Sequence, residues 1–234
     1  MNALTDKTPV VRSYFDAIAG RYDLMNTLLS FGLHHAWKRT TIRAARISGA
    51  MRVLDVCGGT GDLAALAARR LGPAGSVTLY DFSRAMMCAG RRRARQPRTL
   101  HYVCGDARAL ALKDESVDAV IIGFGLRNLA DMDAGLREFR RVLVHGGRLV
   151  CLEFSHPAGE LLRRFYDLYS YLVIPVLGRL IAGSREAYTY LPDSIREFPP
   201  PERLQQMMEQ AGFREVACRL LTGGIAAIHT GHKA

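Results

Sequence analysis

The run from Val53 to Asp62, Val-Leu-Asp-Val-Cys-Gly-Gly-Thr-Gly-Asp, constrains the fold of this chain more than any other segment. Its apolar start predicts a short buried strand, and the Ala- and Leu-rich residues 62–71 predict a helix. Glycines between a strand and a helix permit positive φ and let a ligand approach the backbone, while the helix start offers free N–H groups. The run predicts a ligand-binding turn, although the same glycines also suit a turn that only connects a strand to a helix.

Strand-like and helix-like runs alternate through residues 51–154. This alternation is typical of βαβ units, which form a parallel sheet with helices on both faces. We predict strands at residues 52–57, 76–80, 100–104, 117–122 and 148–154. We predict helices at residues 62–71, at 83–95 with Ser83 as the N-cap, and at 132–144 before Gly146 and Gly147.

Both ends of the chain depart from this alternation. Residues 1–50 are predicted to be helical, with a second helix over 34–47 that contains Trp37. The first helix has one apolar face, formed by Val10, Val11, Tyr14, Phe15, Ile18 and Tyr22. Near the C-terminus we predict an aromatic-rich helix over 158–182, an irregular proline-rich stretch over 188–201, a helix over 202–211 and a hairpin of strands 215–222 and 225–232.

The chain is basic, with 32 Lys and Arg residues against 22 Asp and Glu residues and a net charge of +10. Such a chain attracts anions, which include nucleic acid, acidic lipid headgroups and anionic ligands. Its arginine clusters, at residues 91–93, 140–141 and 163–164, are also typical of solvated helix faces. Because the sequence has neither an RNP-like pattern nor a recognition helix, we expect no nucleic-acid partner.

Cysteine usage and hydropathy favour a cytoplasmic protein. The five cysteines, Cys57, Cys88, Cys104, Cys151 and Cys218, form no C-x-x-C pair, so we expect buried free thiols and no metal site. Residues 1–9 lack a secretory apolar region. The apolar stretch 169–182 is shorter than the ~20 residues that span a bilayer. Contact with a membrane surface and assembly as a homodimer both stay open.

The ligand of the glycine turn is predicted from the charges beside it. Asp81, twenty residues past Gly61, ends the next strand, where a carboxylate can accept both hydroxyls of an adenosine ribose. The spacing Gly59-x-Gly61-x-x-Ala64 also satisfies the loose dinucleotide fingerprint, so a nicotinamide cofactor is the alternative. However, Asp55 and Asp62 would repel its diphosphate by roughly 1 kcal/mol per contact. S-adenosylmethionine has no phosphate, and its sulfonium and ammonium groups suit carboxylates, so it is favoured.

Longer motifs extend beyond the glycine turn. They are Phe-Asp-x-Ile-Ala-x-Arg-Tyr-Asp-Leu-Met-Asn at 15–26, Leu-Ser-Phe-Gly-Leu-His-x-x-Trp-Lys at 29–38, Leu-Asp-x-x-Gly-Gly-Thr-Gly-Asp at 54–62, Phe-Gly-Leu-Arg-Asn at 124–128, Leu-Glu-Phe-Ser at 152–155 and Tyr-x-Tyr-Leu-x-x-Ser-Ile at 188–195. With these motifs the chain resembles, over nearly its whole length, the UbiE/MenG family of quinone-biosynthesis C-methyltransferases. The first and fourth motifs are the most particular to that family.

The resemblance implies a class I S-adenosylmethionine-dependent methyltransferase fold, a Rossmann-like, mostly parallel seven-stranded sheet with a C-terminal antiparallel hairpin. We expect a single domain with four parts: a helical cap at 1–50, a cofactor-binding core at 51–154, a substrate lid at 155–200 and the C-terminal helix and hairpin at 201–234. The implied cofactor-binding residues are Gly59, Thr60, Gly61, Asp81, Asp106, Ala107 and Gly123. Some family members have Ser where this chain has Gly123, so only a backbone contact is expected there.

The resemblance also implies the reaction, C-methylation of a polyprenyl quinol ring. The substrate is demethylmenaquinol, the benzoquinol of the ubiquinone pathway, or both, and the motifs do not distinguish them. The alternative is a methyltransferase of another lipid, such as phosphatidylethanolamine. Arg127 is the first candidate for stabilising the phenolate, although an arginine in a surface ion pair is the alternative. Tyr22 and Asn128 are candidates for holding or deprotonating the hydroxyl, although Tyr22 also suits a core aromatic of the first helix. His34 is a base only in principle and is otherwise structural.

The lid is expected to form a prenyl channel, although an ordinary buried helix is the alternative. Its apolar surface comprises Phe165, Tyr166, Tyr169, Tyr171, Leu172, Val173 and Ile174. Arg163 and Arg164 at its edge suit an enzyme that collects a lipid at an anionic membrane surface.

Overall fold

The computed structural model describes residues 6–93, 99–157, 159–160, 164, 166, 168–177 and 185–234. Their centre is a seven-stranded sheet in the order β3-β2-β1-β4-β5-β7-β6. The strands are β1 (Arg52–Val56), β2 (Ser76–Asp81), β3 (Leu100–Cys104), β4 (Val117–Gly123), β5 (Leu143–Phe154), β6 (Phe213–Leu221) and β7 (Ala226–Lys233). Strands β1 to β5 pair in parallel, and β7 runs antiparallel to both β5 and β6.

The helices of the described residues precede, separate and follow these strands. They are α1 (Thr8–Ile18), α2 (Tyr22–Leu29), α3 (Leu33–Ala44), α4 (Asp62–Ala68), α5 (Arg84–Arg93), α6 (Met132–Val142), α7 (Ile174–Leu177), α8 (Arg185–Glu197) and α9 (Pro201–Gln210). Short 3-10 turns lie at Leu126–Asn128 and Thr222–Gly224, and a π-helical turn lies at Tyr169–Val173.

Two apolar layers cover the two faces of the sheet. Because side chains alternate along a strand, Leu54 and Val56 of β1 face one layer while Val53 faces the other. The first layer includes Phe139 of α6, and the second includes Trp37 of α3. The parallel sheet is therefore covered on both sides, as the alternating sequence predicts.

The strand order reverses between β1 and β4. From β1 the chain builds outward to β2 and β3, then returns to place β4 on the other side of β1. In open α/β sheets, ligands bind at the carboxyl ends of the strands beside such a switch point. The glycine turn after β1, Asp81 at the end of β2 and Gly123 at the end of β4 all lie there.

Three predicted boundaries are wrong. The cap contains three helices, because Tyr22 begins a helix of its own. Val10, which was predicted on the apolar face of the first helix, is exposed. The helix after the glycine turn ends at Ala68, and Leu71 instead forms a bridge with Gly49. Strand β5 begins at Leu143 and continues through the two glycines, since an irregularity between Val117 and Ala119 of β4 accommodates it.

The stretch predicted to be irregular, 188–201, is helical as far as Glu197. Pro192 lies inside α8 and lacks the N–H that an interior helical residue donates, at a cost of about 3 kcal/mol. The helix persists because Tyr188 and Ile195 are buried on its inner face. At this position the burial of apolar side chains outweighs the low helix propensity of proline.

The cysteines and the segment 158–182 agree with the predictions only in part. The thiols are free, but only Cys151 is fully buried; Cys104 is exposed and the other three are partly buried. The helix predicted over 158–182 lies partly outside the described residues, and so do the lid residues Arg163 and Phe165. The described part of it is helical from Tyr169 to Leu177.

Candidate active site

The turn between β1 and α4 has the backbone that its glycines predict. Cys57, Gly59 and Gly61 have φ values of 53°, 55° and 84°. A side chain at Gly58 would also be excluded, since a Cβ there would lie 2.7 Å from Leu79 Cγ. The turn therefore holds its backbone close to the sheet edge and leaves the space above it open to a ligand.

The Asp81 carboxylate braces this turn from the neighbouring strand. Its Oδ2 accepts a hydrogen bond of 2.8 Å from the Gly59 N–H, and its Oδ1 accepts one of 2.7 Å from the Ser83 N–H. Burial raises the pKa of Asp81 to about 6. The Ser83 hydroxyl accepts from the Met86 N–H at 3.1 Å, which confirms Ser83 as the N-cap of α5.

A second buried carboxylate lies below the turn. Asp55 Oδ2 accepts from the Ala64 N–H at 2.8 Å, while Oδ1 has no partner within the described residues. Burial raises the pKa of Asp55 to about 8. Lys38 is engaged elsewhere, 2.6 Å from Asp62. A cationic ligand near these two carboxyls would favour their charged forms over the protonated ones, which fits the sulfonium and ammonium groups of S-adenosylmethionine.

Two adjoining cavities of about 370 Å³ and 350 Å³ lie beside the Asp81 carboxylate. Both are lined by Cys57, Asp81, Phe82, Gly125 and Asn128. We call them together the cofactor cleft. Predicted cofactor residues converge here: Asp106 and Ala107 line the first cavity, and Gly59 and Gly123 line the second.

Two predicted cofactor residues, Thr60 and Gly61, do not line the cofactor cleft, and Asp106 has a protein partner. Thr60 donates a hydrogen bond of 2.8 Å to Asp23 of α2, so it links the turn to the cap. Gly61 supports the turn, because a Cβ there would lie 3.0 Å from Leu79. Asp106 accepts from Arg108 at 2.7 Å, a partner that the sequence did not predict.

A larger apolar cleft opens beside the cofactor cleft. It encloses about 1150 Å³, counted to its open mouth, and we call it the apolar cavity. Its walls come mostly from the cap helices and α8, and it shares Phe15, Tyr22 and Phe124 with the cofactor cleft. Its lining residues are Tyr14, Phe15, Ile18, Tyr22, Asn26, Leu29, Ser30, Phe31, Leu33, His34, Trp37, Phe124, Arg127, Phe154, Tyr166, Tyr169, Ala187, Tyr188, Tyr190, Leu191, Ile195 and Ile225.

Arg127 lines the apolar cavity, and it forms an ion pair that is buried and not at the surface. Its Nη1 lies 2.6 Å from Glu153 Oε1 and also donates to the Phe124 carbonyl at 2.6 Å. The two charged side chains are 5% and 1% exposed. The Arg127 charge is therefore balanced inside the protein, while its Nε has no partner within the described residues.

Comparison with known proteins identifies the family. Residues 1–233 match the model of the ubiE/COQ5 methyltransferase family. The chain belongs to this family. A relative from Methylobacterium nodulans, named ubiquinone/menaquinone biosynthesis C-methyltransferase UbiE, is 49% identical over 98% of this chain and 93% of its own. A relative of the same name from Stenotrophomonas maltophilia is 46% identical over 99% of this chain and 92% of its own.

Solved structures support the fold of this ubiE/COQ5 family member. An S-adenosylmethionine-dependent methyltransferase from Aquifex aeolicus aligns with a TM-score of 0.59 and 16% identity over 84% of this chain and 89% of its own. The phosphoethanolamine N-methyltransferase 2 of Haemonchus contortus aligns with a TM-score of 0.61 and 15% identity over 83% and 52%. The protein is an S-adenosylmethionine-dependent methyltransferase with the class I Rossmann-like fold.

The remaining catalytic candidates of the ubiE/COQ5 family member, Tyr22 and Asn128, both line the cofactor cleft. Tyr22 lines both the cofactor cleft and the apolar cavity, so it lies at their junction. Asn128 lines the cofactor cleft, donates to the Phe124 carbonyl at 3.2 Å and accepts from the Tyr190 hydroxyl at 3.1 Å. The structure therefore brings Tyr22 and Asn128 to one region but gives Asn128 a structural partner.

His34 lines the apolar cavity in its neutral form. Burial, with a contribution from Lys38, lowers the pKa of His34 to about 4. The Thr27 hydroxyl donates its proton to the Asp23 carbonyl, so it accepts from His34 Nε2–H at 3.1 Å. This contact assigns the tautomer and leaves Nδ1 as an acceptor without a partner in the described residues.

Sequence reasoning missed Glu153 and the roles of two tyrosines. Glu153 lies in a strand of buried apolar residues, and a charge there signals a buried cation partner. Tyr188 and Tyr190 both line the apolar cavity from α8. Their motif was visible in the sequence, but nothing in it indicated which hydroxyl would be bonded and which would not.

The predicted lid residues contribute unequally to the apolar cavity. Tyr166 and Tyr169 line it, whereas Tyr171, Leu172 and Val173 are exposed. Arg164 is exposed and pairs with Glu160. No helix in the described part of the chain is long and apolar enough to cross a membrane.

Proposed function

We propose that this enzyme transfers a methyl group from S-adenosylmethionine to a ring carbon of a prenylated quinol. The main observation in support of this proposal is the junction of the two clefts, where a large apolar cavity meets the cofactor cleft at Phe15, Tyr22 and Phe124. An aromatic ring with a prenyl tail fits such a cavity, because its surface is mostly apolar with few polar atoms. The names of the relatives support demethylmenaquinol, the ubiquinone-pathway benzoquinol or both as substrate.

Three of the four predicted parts of the chain have a role in this proposal. The core at 51–154 supplies the cofactor cleft, and the cap at 1–50 and lid at 155–200 supply most of the cavity wall. In the cofactor cleft we assign Asp81 to the ribose, Asp106 and Ala107 to the adenine, and Gly123 to a backbone contact. Gly59, Thr60 and Gly61 shape the turn that faces the cofactor.

S-adenosylmethionine, when bound, supplies an electrophilic methyl group on its sulfonium. A quinol ring carbon is weakly nucleophilic until an adjacent hydroxyl, with a pKa near ~10, loses its proton. Arg127, held by Glu153, has an unpartnered Nε–H that can donate to the forming phenolate. Tyr22 lies at the junction of the clefts, where it can hold the hydroxyl. The aromatic walls exclude water and align the ring with the cofactor, and this positioning supplies much of the acceleration.

The acceptor enters, in this proposal, from a lipid bilayer. Two exposed apolar segments adjoin residues that line the cavity, and we call them the rim patch. The rim patch consists of Leu24, Leu28, Phe31, Leu33, Leu168, Tyr171, Leu172, Val173 and Val176. Phe31 is 80% exposed and yet belongs to the cavity wall, so the cavity opens among these side chains. Apolar side chains around the mouth suit peripheral contact with a membrane.

The test is methyl transfer from labelled S-adenosylmethionine by the purified enzyme. We expect label on the ring of short-chain demethylmenaquinol, of the demethylated benzoquinol, or of both. Phosphatidylethanolamine vesicles serve as the acceptor for the alternative lipid activity, with quinol-free and enzyme-free reactions as controls. Label on phosphatidylethanolamine, with none on either quinol, would overturn the proposal.

A further inference from the structure

The hydroxyl of Tyr188 is buried without a hydrogen-bond partner in the described residues. Tyr188 lies in the first half of α8, and 4% of its surface is exposed. A hydroxyl removed from water without a partner costs stability, and phenylalanine would fill the same space without that cost. The hydroxyl therefore needs an explanation other than packing.

Neighbouring tyrosines of the apolar cavity differ from Tyr188. Tyr169 donates to the Leu29 carbonyl at 3.1 Å, and Tyr190 donates to Asn128 at 3.1 Å. Both of these hydroxyls have partners within the protein. Among these three aromatic side chains of the wall, Tyr188 alone has a hydroxyl that no described residue satisfies.

Two other residues that line the same cavity carry an unpartnered buried polar atom. The atoms are Arg127 Nε, which is a donor, and His34 Nδ1, which the Thr27 contact leaves as an acceptor. Polar atoms without partners around an apolar cavity indicate a ligand that is apolar overall but carries a few oxygen atoms. A ring with two oxygens matches this set.

We propose that the Tyr188 hydroxyl donates a hydrogen bond to a ring oxygen of the methyl acceptor. This inference rests on the quinol substrate proposed above and assigns a residue that binds its ring. Burial, with a smaller effect of Tyr22, raises the pKa of Tyr188, so the hydroxyl stays protonated and acts as a donor. The bond strengthens as the ring oxygen gains negative charge, because hydrogen bonds to charged acceptors are the stronger ones.

Tyr188→Phe removes only the hydroxyl and tests the proposal directly. We expect kcat/KM for the quinol to fall about 10- to 100-fold, with S-adenosylmethionine affinity unchanged and Tm equal to or above that of the parent. Tyr169→Phe breaks a satisfied hydrogen bond, so its Tm should fall. Tyr102→Phe, on β3 and outside the apolar cavity, is the control for full activity.

Binding of ring analogues separates a hydrogen bond from packing. The oxidised short-chain demethylmenaquinone has two carbonyl acceptors, and we expect Tyr188→Phe to weaken its binding by about tenfold. The corresponding prenyl naphthalene has no ring oxygen, so parent and variant should bind it equally.

Three results would overturn the inference or what it rests on. Equal quinone binding by the parent and Tyr188→Phe would exclude the proposed hydrogen bond. Equal losses of affinity for quinone and for prenyl naphthalene would show that Tyr188 acts through packing. A parent enzyme that neither methylates a quinol nor binds the quinone would instead overturn the proposed function.

Discussion

Arg127 and Glu153 form a buried ion pair, with Nη1 and Oε1 2.6 Å apart and a sequence separation of 26 positions. Arg127 follows β4 and Glu153 lies on the neighbouring β5, so the sheet pairing brings them together. The Arg127 guanidinium also lies 5.4 Å from the centre of the Phe154 ring. Glu153 therefore holds in place the arginine that we propose acts in the reaction.

Arg127→Ala should lose both stability and turnover. The substitution leaves Glu153 buried without its partner, which costs about 3–5 kcal/mol of unfolding free energy. The double variant Arg127→Met, Glu153→Leu removes both charges and should recover most of that stability. Turnover should stay about 10²–10³-fold below the parent in both, because the donor to the phenolate is missing. Urea unfolding and steady-state methylation give the two quantities. A double variant with near-normal turnover would remove Arg127 from the reaction.

Asp81→Asn should weaken S-adenosylmethionine binding by about 1.5–3 kcal/mol, since a charged acceptor for the ribose is lost. The affinity of the parent should also fall as pH decreases through about 6, the pKa of buried Asp81, because its protonation removes that acceptor. Calorimetry between pH 5 and 7.5 measures both effects. Asp133→Asn, on the exposed first turn of α6, is the matched control. A pH dependence that is unchanged in Asp81→Asn would assign it to another group.

Asp55→Asn should stabilise the ligand-free protein, and more so at high pH. Burial raises the pKa of Asp55 from 3.8 to about 8, so its charge opposes folding at pH values above 8. That penalty declines as pH falls and is absent below about 4, where Asp55 is protonated in both the folded and unfolded states. The gain in Tm from Asp55→Asn should therefore be larger at pH 8.5 than at pH 5. Equal gains at both pH values would contradict this account of Asp55.

Leu24→Ser with Leu172→Ser should weaken binding to lipid vesicles. Both side chains belong to the rim patch, neither lines the apolar cavity, and each would bury apolar area worth about 1.5–3 kcal/mol in a bilayer. Vesicle sedimentation measures the loss, and turnover of a water-soluble quinol should stay at the parent level. Leu220→Ser, also exposed but on β6, is the control. Undiminished vesicle binding by the double variant would exclude the rim patch as the membrane contact.

Local sequence patterns determined the framework of this protein. The alternation of apolar runs placed the strands within a few residues, because side-chain periodicity reports burial of a strand or helix directly. The glycines of the turn after β1 and the Ser83 N-cap also depend only on neighbouring residues. Asp81 could be placed at the cofactor cleft because strand ends meet at one edge of a parallel sheet.

Tertiary structure decided which side chains of the site have partners. The sequence suggested Arg127 as a catalytic candidate but did not identify Glu153 as its partner. Tyr188 belonged to a recognised motif, but the motif indicated no role for it. Pro192 argued for an irregular stretch, yet burial of the inner face of α8 keeps that stretch helical. Hydrogen bonds and ion pairs between distant segments depend on distances that only packing creates. For this reason the sequence predicted where the candidate active site lies, while the packed structure determined its charge balance and left the Tyr188 hydroxyl without a partner among the described residues.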